Sequence, residues 1–281
     1  ARNFFITLVA GGVAGMIAKT VGAPLERVKI IKQTDPTFQN GSTIKIVREV
    51  TANEGILGLW RGNLLNVLRY FPTQALNFAF RDAFRSRIKL QRSDSFFIIL
   101  AKQLVVGTMS GATSLLFVYP FDSIRTIQSA DVDGQKESVV EIVSRSKGLS
   151  LYSGFGFSVF GIFVYRAAYF FLYNLSKGLV ASDNFLGRFG MNLTVTTVAG
   201  LVTYPIDTIR RYAMVQDYQQ SKQTGKRKYD ITQGGGVHAT LDFIKQYGIL
   251  QLWSGAPMNV IRSYLAAIVL VLYSELRYTM K

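Results

Sequence analysis

Three acids in this sequence are each followed by a base three residues on, and each acid stands two residues after a proline: Pro24, Glu26 and Lys29; Pro120, Asp122 and Arg125; Pro205, Asp207 and Arg210. Side chains three apart occupy neighbouring positions on one helical face. A proline inside a helix removes a backbone donor and forces a kink. The prolines are 96 and 85 residues apart, so the motif returns with a period of about ninety. Around a three-fold axis each acid reaches the base of the next copy, which predicts the pairs Glu26–Arg125, Asp122–Arg210 and Asp207–Lys29. Gln33, one turn beyond Lys29, is placed to brace one of them. A ring of ion pairs that forms and breaks at one face of a membrane is a gate.

A second set of residues carries charge without nearby acids. Lys19, Arg69, Arg166 and Arg262 stand well inside apolar runs. Arg69 lies 13 residues before Asp82 and Lys19 seven before Glu26, about 20 Å and 10 Å along a helix, which sets them near mid-bilayer depth. A cation there costs about 2.5–3.5 kcal/mol on insertion scales unless it faces a wet cavity. Singly, each could snorkel or cap a carbonyl; four at similar depth predict a positive vestibule that holds an anion. Phosphate suits it, because guanidinium presents forked donors to phosphate oxygens. Beside Arg166, Gly161, Ile162 and Tyr165 combine a small, an aliphatic and an aromatic residue, a slot where a planar base could stack. Core packing of Tyr165 is the plain alternative.

These side chains need helices that cross a membrane. Hydrophobic residues make up 49% of the 281, and they gather in six stretches, 4–21, 64–80, 96–121, 154–175, 189–206 and 257–272, each near the roughly 20 residues that span a bilayer core. Gly11 with Gly15, and Gly107 with Gly111, suit close helix packing in lipid. Between the spans come short amphipathic segments, 42–53, 136–146 and 237–247, too polar to cross and expected along the interface. After each follows an aromatic-x-glycine turn, with Trp60, Tyr152 and Trp253 placed for an aromatic belt. The expected fold is therefore an all-α membrane protein: six transmembrane helices in three pseudo-symmetric two-helix repeats, 1–92, 93–182 and 183–281, forming one integrated domain. All three long loops then share one side and both chain ends the other. The longest loop, 216–236, carries Lys222, Lys226, Arg227 and Lys228 and reads as a solvated basic loop.

Composition excludes several classes. The net charge is +15, yet Lys and Arg are dispersed without a basic tail or nucleic-acid motif, which favours small anions or anionic lipid over nucleic acid. Cysteine is absent, so there is no disulfide frame, thiol nucleophile or cysteine metal site. The one histidine, His238, lies in a polar region and reads as a surface residue, not a metal ligand. No nucleophile–base constellation is apparent, so the reading is of a transporter and not an enzyme. No cleavable signal peptide is visible, and targeting information is expected to be internal or removed.

The tripled P-x-[DE]-x-x-[KR] motif with its tripled aromatic-x-glycine echo resembles the mitochondrial carrier family over the whole chain. Within that family, the stretches 23–29 (APLERVK), 69–80 (RYFPTQALNFAF), 165–170 (YRAAYF) and 199–205 (AGLVTYP) look like the ADP/ATP carriers. The resemblance implies a multi-pass protein of the mitochondrial inner membrane that exchanges ADP and ATP by alternating access. It implies that Lys19, Arg69 and Arg262 hold phosphates, that Gly161, Ile162 and Tyr165 hold adenine, and that Arg166 and Thr203 complete the lining. It also implies bound cardiolipin near the aromatic-x-glycine turns, with no other cofactor.

The family's second gate, aromatic-acid-x-x-base at the far end of each even helix, departs from pattern. Asp82 and Arg85 are kept, but Asn174 precedes Lys177 and Ser274 precedes Arg277 where acids belong. Glu275 is displaced one residue, about 100° around the helix, so Asp82–Lys177 is the strong pair expected there. The family branch's three arginines and three methionines appear as Arg210-Arg211-Tyr212-Ala213-Met214-Val215, and bulkier Ser263-Tyr264-Leu265 follows Arg262 where glycines are usual. These departures support two alternatives: a carrier-derived structural subunit docked in a larger inner-membrane assembly with little or no transport, or a carrier of another small anion such as phosphate or a coenzyme-like nucleotide.

Overall fold

A computed structural model describes residues 2–35, 37–38, 41–89, 91, 94–132, 137–146, 148–179, 185–224 and 235–279. The described residues are helical, with no strand. Three long helices carry the motif prolines inside them: α1 (Arg2–Thr34), α5 (Phe96–Ala130) and α8 (Phe185–Thr224). Their 33, 35 and 40 residues exceed the roughly 20 needed to cross a bilayer core, because each continues past its proline. The helix α8 runs on to Thr224, so the first part of the expected basic loop is helical. The remaining elements are α2 (Thr43–Glu54), α3 (Asn63–Leu68), α4 (Tyr70–Arg87), α6 (Val139–Arg145), α7 (Phe155–Leu179), α9 (Gly235–Tyr247) and α10 (Ala256–Thr279), with tight 3₁₀ turns at Ile56–Trp60, Gly148–Tyr152 and Ile249–Trp253. His238 lies exposed within α9 and not in a loop.

Proline leaves the carbonyl four residues earlier without its helical donor. Those orphans are Thr20, Leu116 and Leu201, and in hydrocarbon an unsatisfied carbonyl costs several kcal/mol. The three repeats answer identically. Trp60 Nε1 donates to the Thr20 carbonyl at 2.8 Å, Tyr152 Oη to Leu116 at 3.0 Å and Trp253 Nε1 to Leu201 at 3.2 Å. The aromatics expected as an interfacial belt therefore cap the kinks.

Two residues after each aromatic, Gly62, Gly154 and Gly255 take φ of 79°, 75° and 84°, a left-handed conformation that suits glycine. A Cβ on each would lie 3.1, 2.9 and 3.3 Å from the backbone carbonyls of Arg125, Arg210 and Lys29 respectively. Each turn thus seats itself against the backbone of a gate base from the next repeat. Tyr119 and Tyr204, just before the second and third prolines, donate to Ser153 and Ser254 carbonyls at 2.8 and 2.9 Å, which ties the kinks to the same turns.

The short amphipathic helices α2 and α6 begin at serine caps, Ser42 and Ser138, with Ser138 and Glu141 forming a reciprocal capping box. The apolar faces of these two and of α9 bury against the continuations of the long helices: Ile46 and Val50 against Val28 and Ile31; Ile142 against Ile124 and Ile127; Phe243 against Ile209 and Tyr212. Arg27, fully buried, fastens this layer. It holds the Glu54 carboxylate through Nη1 at 3.0 Å and Nη2 at 2.6 Å and donates to the carbonyls of Ser129, Asp131 and Gly58.

The outer surface is apolar. Leu64, Phe97, Phe163, Phe171 and Ile268 are among the exposed large side chains, a coat that suits lipid and exceeds the patches of soluble monomers. Two stretches, Phe97–Ala130 and Leu149–Ser176, are long and apolar enough by composition alone to cross a membrane.

Candidate functional site

The kinks turn the three motif pairs toward one another. Arg125 Nη2 lies 2.6 Å from Glu26 Oε1, Arg210 Nη1 3.0 Å from Asp122 Oδ2, and Lys29 Nζ 2.9 Å from Asp207 Oδ2. Gln33 Nε2 donates to Thr208 Oγ1 at 3.0 Å and lies 3.5 Å from Asp207 Oδ2. The arrangement is a mesh, not three separate pairs. Arg69, assigned by its position to the anion site, approaches Asp122 at 3.5 Å. Arg211, missed in the sequence, contacts Asp207 at 3.2 Å and Glu26 at 3.8 Å. Beneath the ring Ile30, Ala130 and Val215, one from each long helix, close into a buried apolar layer.

Above the ring is a cavity of about 630 Å³. Lys29, Asp207 and Arg210 form its floor, while Arg81 and Phe170 lie at the other end. Gly161, Ile162, Tyr165, Arg166 and Thr203 all line it, so the structure brings the whole predicted base-binding group together. Tyr165, Tyr169 and Tyr173 form a stacked column down α7, with centroids 6.4 and 5.8 Å apart. Arg166 lies across α5 where side chains are missing: a Cβ on Gly107 would be 2.6 Å from its Nη1. The small residues read as helix-packing sites in α5 thus make room for a cavity cation.

Of the three cations expected to hold phosphate, Arg69 meets Asp122, and the other two are set around this space by neutral partners. Lys19 Nζ donates to Asn66 Oδ1 at 3.1 Å and sits over the Tyr70 ring. Arg262 Nη2 donates to Asn259 Oδ1 at 3.3 Å, and Asn259 itself lines the cavity. Lys19, Arg69 and Arg262 are not on the cavity wall proper, but Lys19 lies within electrostatic reach of Arg69, Glu26, Arg125 and Arg262. Among the described residues, the Nε–H groups of Arg69, Arg210 and Arg262 and Nη1 of Arg211 have no protein acceptor. Tyr264 is exposed and is not among the residues that line the cavity.

Asn66 and Asn259 escaped notice, although a signal was present: Asn-Val-Leu-Arg at 66–69 and Asn-Val-Ile-Arg at 259–262 are equivalent, and Ser158-Val-Phe-Gly161 is their counterpart in the middle repeat. Glycine stands there in place of the arginine, so the middle repeat has no cation at this position. At the far end Asp82 and Arg85 are exposed on α4. Asn174 Nδ2 donates to the Phe170 carbonyl of its own helix at 2.8 Å. The side chains of Lys177 and Arg277 lie outside the described part, and with them the expected Asp82–Lys177 pair.

A cation-rich cavity, floored by ion pairs and enclosed by helices with an apolar coat, defines a membrane solute carrier. A family model described as "Mitochondrial carrier protein" matches three successive stretches, residues 1–92, 99–184 and 181–281. Over 298 residues the chain is 38% identical to "ADP/ATP translocase 3" of Homo sapiens, covering 99% of this chain and 98% of that protein. It is also 38% identical to "ADP,ATP carrier protein" of Parachlorella kessleri, over 98% of this chain and 84% of that one. "Mitochondrial substrate carrier family protein ancA" of Dictyostelium discoideum gives 38% identity over 99% and 94%. The chain belongs to the mitochondrial carrier family and is a multi-pass protein of the mitochondrial inner membrane.

Proposed function

We propose that this carrier exchanges ADP for ATP by alternating access, through six spans in three repeats, 1–92, 93–182 and 183–281. The observation that carries the reading is the cavity itself, a base-sized slot at Gly161, Ile162 and Tyr165 beside a surplus of cations. Around the gate, leaving aside Arg81 at the other end of the cavity, Lys19, Lys29, Arg69, Arg125, Arg166, Arg210, Arg211 and Arg262 are eight cations against three acids, Glu26, Asp122 and Asp207. A surplus of five suits the multiple charges of a nucleoside di- or triphosphate. The names of the relatives support the same substrate class.

In the closed-floor arrangement phosphates enter from the side of Arg81. Their oxygens accept from Arg69 and Arg262, and in doing so they draw Arg69 off Asp122. A ligand shifts such an equilibrium only through its differential affinity for the two states. Here the difference comes from gate cations that exchange carboxylates for phosphate. Asp82, Arg85, Lys177 and Arg277 would form the weaker opposite gate.

Protein reconstituted in vesicles loaded with labelled ADP is expected to exchange it for external ATP, and Arg69→Ala or Arg262→Ala to abolish that flux. Undiminished flux in both variants would refute the site. The bond from Asn174 to its own helix favours a second reading, a carrier-derived subunit held in a larger assembly. Stoichiometric retention in such an assembly on purification, with no anion flux, would select it.

A further inference from the structure

Asn66, Ser158 and Asn259 each stand four residues past the left-handed glycine that opens an inward-facing helix, Gly62, Gly154 or Gly255. Each accepts from a cation. Asn66 takes Lys19 at 3.1 Å, Ser158 takes the gate base Arg210 at 3.4 Å, and Asn259 takes two. Lys29 Nζ donates to Asn259 Oδ1 at 3.1 Å, and Arg262 Nη2 donates to the same oxygen at 3.3 Å. An amide oxygen has two lone pairs, and this one joins a base of the gate to a cation of the anion site. Lys29 is simultaneously bound to Asp207 at 2.9 Å and lies over the Tyr204 ring, while its backbone rests on Gly255. The turn and first helical residues of the third repeat therefore hold Lys29 at both backbone and side chain.

We propose that Asn259 is a positioning residue that couples occupation of the anion site at Arg262 to opening of the Lys29–Asp207 pair. The proposal rests on the carrier reading above and deepens it. Asn259 keeps the ammonium group one hydrogen-bonded step from the guanidinium. An anion that accepts from Arg262 arrives next to Lys29 and competes with Asp207 for it. Without the amide, Lys29 keeps the carboxylate and the Tyr204 ring, and an anion at Arg262 has no hydrogen-bonded path to it. Binding would then persist while the gate failed to respond.

The absence of native cysteine makes a single introduced thiol a clean reporter. Ile206→Cys places one on the cavity wall beside Asp207, where a membrane-impermeant maleimide applied from the loop side reads gate opening. The experiment compares this reporter protein with the same protein carrying Asn259→Ala or Asn259→Ser, the residue type of the middle repeat, in the presence of ADP, ATP or inorganic phosphate. Anion binding is followed separately by thermal shift. In the reporter protein an anion should accelerate labelling. Asn259→Ala should lower that acceleration about tenfold, the scale of one lost hydrogen bond to a charged group, beyond whatever shift it causes in the midpoint of the thermal-shift titration, so that labelling at saturating anion stays slow. Asn259→Ser should recover part of the response. Equal acceleration in Asn259→Ala, or loss of binding and opening together, would overturn the coupling and leave the carrier reading standing. A response to phosphate but not nucleotide would overturn the nucleotide reading and keep the coupling; no response to any anion in the reporter protein would overturn both.

Discussion

Asp122 is the strongest place to test whether the mesh of ion pairs is a gate. Its carboxylate is buried and faces three guanidinium groups: Arg210 at 3.0 Å, Arg69 at 3.5 Å and Arg125 at 3.9 Å. Asp122→Asn keeps the shape and removes the charge. Breaking a buried pair from one side costs about 3–5 kcal/mol, because the other charge is left uncompensated. Arg125 shares the helix of Asp122, but Arg210 and Arg69 reach it from other helices; on the gate reading only the closed floor brings those two there, so the cost falls on that state. At about 1.4 kcal/mol per tenfold, the population with the floor open should rise by roughly two to four orders of magnitude. With Ile206→Cys as reporter, loop-side labelling without any anion should become fast in Asp122→Asn and remain slow in the parent. Unchanged labelling in a variant that still unfolds cooperatively would refute the gate, and the acid would then be only a structural partner of Arg210.

Three further outcomes follow from geometry outside the ring. Tyr152→Phe deletes the hydroxyl that caps the Leu116 carbonyl; an unsatisfied polar group costs about 1–3 kcal/mol, read as a lowered Tm in detergent or nanodiscs. Gly107→Ala places a Cβ 2.6 Å from Arg166 Nη1 and should raise the KM for the transported anion severalfold with the fold intact, measured as exchange flux beside thermal stability. On the loop side, Glu137 accepts from Lys222 and Tyr218, which links the loop after α5 to the end of α8. Burial alone would push the Glu137 carboxyl up, but those donors outweigh it and hold it below its ordinary value. A depressed carboxylate stabilises above its unfolded pKa and loses that contribution as pH falls through the folded one. The Tm gap between wild type and Glu137→Gln should therefore be present at neutral pH and close once the pH drops below about 4.

The ring was readable because two spacings act together. An acid and base three apart fix a shared face, and the period of the prolines fixes which partner each acid meets. The mid-membrane cations were readable for a similar reason, since hydrocarbon makes an isolated charge conspicuous. Neutral residues give no such contrast. Asn66, Asn259 and Ser158 sit in the apolar runs without penalty once bonded, and only comparison of the Asn-Val-x-Arg echoes marks two of them. Arg211 was masked by its neighbour Arg210, although its spacing of four from Asp207 is a helical contact. Trp60, Tyr152 and Trp253 fit an interfacial belt equally well on sequence grounds. Their role at the orphaned carbonyls depends on a turn conformation that only the left-handed glycines create.

The surplus of cations bears on whether transport runs as exchange or as one-way leak. To turn around, the protein must pass through a state in which the cavity is closed at both ends. Empty, that state would enclose eight cations with three carboxylates, and each uncompensated buried ion carries an effective penalty of several kcal/mol. A bound polyanion would remove most of that penalty, so on the exchange reading the loaded protein is expected to cross and the empty one is not. The asymmetry belongs to Lys19, Arg69, Arg166, Arg211 and Arg262, which have no acid of their own in the ring motif, and not to the balanced pairs. Vesicles loaded with labelled nucleotide should accordingly retain it in nucleotide-free buffer and release it on addition of external nucleotide. Release at similar rates in both buffers would mean that the empty cavity closes freely, and that water or lipid headgroups, not substrate, neutralise its charge.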